Sequence, residues 1–203
     1  MEDRIARLFT ILFHPLFIPF YMLMILFNIN AYFAILIPLK AKYLLTGLVF
    51  LTTILFPLLL VFLFYRLKLI RSFYLESKEE RIYPLLTTAI FYYLTYYLLK
   101  SFTISFIFSY YMLGSTFLTI CALIISFYRK ISLHMIGVGG MIGLLMGFSI
   151  SRNIDLTWFV IPAILLAGIL GFARIKSNSH KPSEIYSGFL VGAGVMFLLF
   201  IFL

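Results

Sequence analysis

The chain is written in long uncharged apolar blocks separated by short polar segments. The blocks fall at Arg7–Phe27, Tyr43–Tyr65, Tyr83–Leu99, Ile104–Tyr128, His134–Ile150, Leu156–Ala173 and Ile185–Leu203. Runs such as Tyr43–Tyr65 and Ile104–Tyr128 hold no charged residue and reach the roughly 20 residues that a helix needs to cross about 30 Å of hydrocarbon. In lipid a backbone must satisfy its own hydrogen bonds, and the alternating pattern of a barrel strand is absent, so each block predicts a helix. The expectation is an all-α, polytopic membrane helix bundle of about seven transmembrane helices, one integral membrane domain over residues 1–203. Tyr83–Leu99, at 17 residues, is the weakest span, and losing it gives a six-span alternative.

Composition narrows the function classes. The chain is 64% hydrophobic and 11% charged, with a mean hydropathy of +1.11, against about 45–50% apolar and about 25% charged in soluble domains, which excludes a soluble enzyme, a nucleic-acid binder and a disordered tail. The net charge of +9 comes from 16 Lys and Arg that lie between apolar blocks, where they set topology and attract anionic head groups, so the basic balance points to phospholipid and not to nucleic acid. Cys121 sits alone inside an apolar run and can form no intrachain disulfide. The apolar stretch of the first block shows no small-residue cleavage site and reads as a retained helix. Ten of the 12 glycines fall between Gly137 and Gly194, and the four-residue spacings Gly139-Gly143-Gly147 and Gly188-Gly192 predict that the last three helices pack closest.

Counting spans puts Arg66–Ile82, Arg129–Leu133 and Arg174–Glu184 on the same side as the N-terminus, where they can converge. That side carries 12 bases against four opposite (Lys40, Lys42, Lys100 and Arg152), which places it in the cytoplasm by the positive-inside rule.

Two of the three histidines belong to these shared segments. His180 precedes the last helix. With Pro182 in its first turn, Glu184 lies one turn on and its carboxylate can reach the His180 imidazole, fixing the tautomer and leaving the other nitrogen for attack. His134 opens the fifth helix with Ser132 as its N-cap, a place where a phosphate meets backbone N–H groups and the positive end of the helix dipole. His14-Pro15 lies inside the first block, where a proline kink predicts His14 bonded to a freed carbonyl.

Arg174-x5-His180-x3-Glu184 resembles the third signature of the type 2 phosphatidic acid phosphatase and vanadium haloperoxidase superfamily, Ser-Arg-x5-His-x3-Asp. Ser132-Leu133-His134 resembles its second, Pro-Ser-Gly-His, and Lys78-Glu-Glu-Arg81-Ile-Tyr-Pro84 loosely resembles its first, Lys-x6-Arg-Pro. The resemblance implies a membrane lipid phosphate or diphosphate phosphohydrolase that needs no metal and no cofactor. In it His180 would attack phosphorus, Glu184 would orient it, His134 would protonate the leaving alkoxide, and Lys78, Arg81, Ser132 and Arg174 would hold the phosphate oxygens. Candidate substrates are membrane phospholipids such as phosphatidate and phosphatidylglycerophosphate, a polyprenyl diphosphate and the phosphates of lipid A, with the bacterial inner membrane as the implied location.

The departures are Ala173 for Ser, Glu184 for Asp, Ile131 and Leu133 for Pro and Gly, and the spacing of the first signature. They motivate the alternative of a non-catalytic phospholipid-binding or translocating protein on the same scaffold. Position by position there are plainer readings too: a positive-inside collar for Arg174, Lys176 and Lys181, a cap for His134, and a solvated charge cluster with Glu76, Glu79 and Glu80 for Lys78 and Arg81.

Overall fold

The computed structural model describes residues 8–29, 32–72, 78–100 and 106–203. It is helical throughout, with no strand among the described residues, and six helices are long and apolar enough to cross a membrane. The protein is an integral membrane protein of the all-α class. The helices are α1 (Ile18–Asn28), α2 (Leu39–Arg66), α3 (Lys78–Lys100), α4 (Phe106–Tyr128), α5 (Leu133–Arg152), α6 (Thr157–Lys176) and α7 (Pro182–Ile201).

Two spans depart from expectation. The first block is not one helix. Residues 8–12 are helical, the chain turns at Phe13 and runs extended at His14 (φ −60°, ψ 141°), and a 3₁₀ turn, Pro15–Phe17, leads into α1. Pro15 explains the break: it has no N–H for the helix ladder, and it pushes the preceding residue out of helical geometry. Conversely the weak third span gains a turn at its start, because α3 begins at Lys78 and runs 23 residues. The short member of the set is thus the first block, not Tyr83–Leu99.

The chain divides into two compact units, Met1–Ile18 with Ile131–Leu203, and Pro19–Lys130. In the second unit α3 packs along α4, and α2 meets α3 through a buried Thr95–Thr52 hydroxyl bond (2.7 Å) and a Phe56–Phe91 ring contact. Pro57 withholds an N–H from the ladder of α2, and the turn before it, Leu51–Leu55, widens into a π-helix. Lys42 extends to the last carbonyls of α1, donating to Phe27 at 3.3 Å.

In the first unit α5 is the central helix, buried along most of its length, and its partner is α7. The glycines explain the pairing. A Cβ at Gly143 would fall on the Ala193 carbonyl, one at Gly192 on the Ile136 carbonyl, and one at Gly139 on the Phe189 carbonyl. The two backbones touch, with no side chain between them. Gly168 and Gly194 face open space, so the close packing predicted for three helices belongs to the α5–α7 pair. At the far end of this unit Asn153, in the left-handed region (φ 51°), ends α5. Asp155 accepts the Thr157 backbone N–H at 2.9 Å to begin α6; hydrogen bonds from the Thr157 hydroxyl and backbone hold its carboxyl below the usual value. Arg152 donates to the Leu203 carbonyl (2.9 Å), so Leu203 lies at that end too, and Trp158 and Phe202 are exposed.

Candidate functional site

The opposite end of the first unit gathers the start of α5, the end of α6, the start of α7 and the N-terminal segment. Two turns set it up. After α6, Ser179 donates to the Arg174 carbonyl (3.3 Å) with Asn178 in the left-handed region, which reverses the chain within four residues and returns His180 to the bundle. The Ser132 N–H then donates to the Glu184 carbonyl at 3.2 Å, tying the start of α5 to the first turn of α7. Gly188 permits the approach, since a Cβ there would press on the Ser132 carbonyl at 2.8 Å.

Pro182 occupies the first position of α7 as its sequence predicts, and Glu184 lies in that first turn. Its Oε2 sits 2.7 Å from His180 Nδ1 and 3.4 Å from the Lys181 backbone N–H. The His180 side chain is 3% exposed and that of Glu184 17%, so the pair is sheltered from water. An Nδ1–H held by the carboxylate puts the lone pair of the neutral ring on Nε2.

His134 is buried in the first turn of α5, and its Nε2 lies 3.1 Å from the Thr10 carbonyl. A carbonyl only accepts, so Nε2 carries the proton and Nδ1 is the second functional nitrogen. His14, Arg174 and His180 all lie within electrostatic range of this ring, from the N-terminal segment, α6 and the loop before α7. Arg174 is half-buried, whereas Lys181 is exposed and Lys176 lies over the Phe172 ring at 5.8 Å.

Ser132 stands at the N-cap position but does not cap. Its hydroxyl makes no hydrogen bond to the helix, the residue is 0% exposed, and Oγ has no partner. A buried hydroxyl without a partner costs about 1–3 kcal/mol, so an acceptor placed here gains a donor already dehydrated. The first N–H groups of α5 likewise have no intrahelical carbonyl to bond.

Of the seven residues singled out, Ser132, His134, Arg174, His180 and Glu184 come together in this unit. Arg81 belongs to the other unit, where it is buried at 5% exposure, and the Lys78 side chain lies outside the described residues. His14 is the residue that sequence reasoning misplaced. Its Nδ1 accepts the Leu16 N–H (3.4 Å) instead of bonding a carbonyl, and its ring meets His134 edge to face at 5.5 Å. Among the described residues no group of three His, Cys, Asp or Glu is arranged to ligate a metal ion.

Comparison of the chain with family models, with curated proteins and with solved structures gives no match.

Proposed function

We propose that this end of the first unit is a phosphoryl-transfer site, and that the protein is a lipid phosphate or diphosphate phosphohydrolase. The observation that carries the reading is the pairing of two differently held histidines beside Arg174 and the unpartnered Ser132 hydroxyl. A carboxylate holds His180, and a carboxylate stabilises the positive charge that grows on a ring as Nε2 bonds to phosphorus. A neutral carbonyl holds the Nε2–H of His134, which orients the ring and leaves Nδ1 to take up and pass on a proton. The first arrangement suits a nucleophile and the second a proton donor.

The reaction then runs in two displacements. The phosphate sits against the first N–H groups of α5, the Ser132 hydroxyl and the Arg174 guanidinium, which offset the charge spread over its oxygens. The bound phosphate monoanion passes its proton to His134 Nδ1, and His180 Nε2 attacks phosphorus while the lipid alcohol, or the phosphate end of a diphosphate, leaves with that proton. Water next attacks the phosphohistidine, its proton passes by way of His134 Nδ1 to the departing phosphate, and both rings are restored. The purified full chain should release phosphate from at least one of phosphatidate, phosphatidylglycerophosphate, a polyprenyl diphosphate or lipid A, without added metal and with chelator present. No release from any of them overturns the reading.

We assign the site end to the cytoplasmic side of a bacterial inner membrane on the charge count. Leu203 lies with Arg152 at the other end of the unit, so a reporter fused there reads the side opposite the site. An alkaline phosphatase fusion should be active and a fluorescent cytoplasmic fusion dark; the reverse pattern moves the site to the outer face.

A further inference from the structure

In an unbroken α-helix the Thr10 carbonyl would accept the N–H of residue 14. Here the His14 N–H turns instead to the Ile11 carbonyl, at 3.2 Å, and the chain leaves helical geometry. Pro15 has no N–H with which to continue the ladder. The break therefore releases the Thr10 carbonyl from the helix, and that carbonyl is the one His134 Nε2 meets at 3.1 Å. The residue displaced at the break also touches the ring that uses the carbonyl, since His14 lies edge to face on His134 (5.5 Å, 84°) while its Nδ1 caps the 3₁₀ turn through the Leu16 N–H. Gly137, one turn into α5, lets this turn seat: a Cβ there would press on the Ile18 side chain at 3.2 Å and lie 3.8 Å from Pro15 Cα.

We propose that His14 is a positioning residue for His134, and that the His14-Pro15 break exists to hand a backbone carbonyl to the proton donor. The inference rests on the reading of His134 as that donor. His14 acts through His134 in two ways. Its departure from the helix frees the orienting carbonyl, and its ring limits rotation of the neighbouring imidazole. The other charged or titratable groups around His134, Arg174 from α6 and His180 from the loop before α7, are not on the N-terminal segment and stay in place when it changes.

The consequence is selective. A proton donor matters to a leaving group that cannot depart as an anion and hardly at all to one that can. His14→Asn keeps an acceptor for the Leu16 N–H and removes the ring, and Pro15→Ala removes the block to a continuous helix. Each should slow turnover of an alkyl-chain phosphate by about 10- to 100-fold, part of the roughly 10²–10⁴ that a positioned acid contributes, and change turnover of p-nitrophenyl phosphate by less than about 3-fold. Equal losses on both substrates would overturn the proposal, because a merely structural role does not distinguish leaving groups. A second measurement needs no turnover. With ¹⁵N-labelled histidine in detergent micelles, His134 of the parent chain should be protonated at Nε2, and both variants should show mixed tautomers. An unchanged tautomer in folded variants rejects the positioning role whatever the activity. Failure of the parent chain to release phosphate from either substrate rejects the phosphohydrolase reading and this role in it.

Discussion

His180→Ala should lower phosphate release by about 10⁴-fold or more and leave binding of the lipid phosphate within about 2-fold. A covalent nucleophile contributes to the chemical step and little to ground-state affinity, so its removal separates the two quantities. The phosphate contacts that remain, from Arg174, Ser132 and the start of α5, do not pass through the imidazole. Glu184→Gln tests the same pair from the other side. Its amide oxygen can still accept the Nδ1–H but brings no charge, so the loss should be smaller, about 10- to 100-fold, and confined to kcat. Phosphate release, the loss expected only of an enzyme, and binding by sedimentation with phosphatidate vesicles are the two readouts. Turnover that survives in His180→Ala would remove the nucleophile from the mechanism. Binding with no turnover in either chain would instead favour a lipid-binding or translocating protein.

The second large effect concerns the scaffold. Gly143→Ala and Gly192→Ala should each destabilise the chain by about 1–3 kcal/mol, the usual cost of overpacking, and valine at either place should prevent the folded chain from accumulating. The added Cβ meets carbonyl and Cα atoms of the opposing helix, which cannot rotate away as a side-chain tip can. Gly168→Ala and Gly194→Ala are the matched controls. Nothing lies within 4 Å of a Cβ at either, so the thermal midpoint should not fall. If all four behave alike, close backbone contact is not what holds α5 to α7.

The sequence made the helical blocks legible because lipid allows only one way to satisfy an uncharged backbone, and length alone then separates a span from a shorter segment. His180 and Glu184 were legible for a local reason: they are four apart around a proline that fixes where the helix begins, so their contact needs no tertiary information. His14 was not. Pro15 announced a break, but which carbonyl the break would release and which ring would take it depends on α5, more than a hundred positions later in the chain. Ser132 shows the limit of cap statistics. The residue type and place were right, yet the hydroxyl makes no cap bond, while the backbone N–H of the same residue donates to the Glu184 carbonyl in the first turn of α7.

The contact between α5 and α7 also bears on how such a protein can change over generations. Where two helices are held apart by side chains, a swap of one residue resets their spacing by an ångström and retunes whatever they carry. Here the spacing is set by backbone on backbone, and the residues that would reset it are glycines at which an added Cβ would overlap the opposing backbone. The gap between Ser132 and His134 on one helix and His180 and Glu184 on the approach to the other is therefore inherited as a fixed quantity. If the site acts on lipid phosphates as proposed, drift toward a new lipid would come through residues outside that gap, among the exposed Leu, Ile and Phe of the helix surfaces. On that reading the phosphate group would stay the same while the tails attached to it diversify.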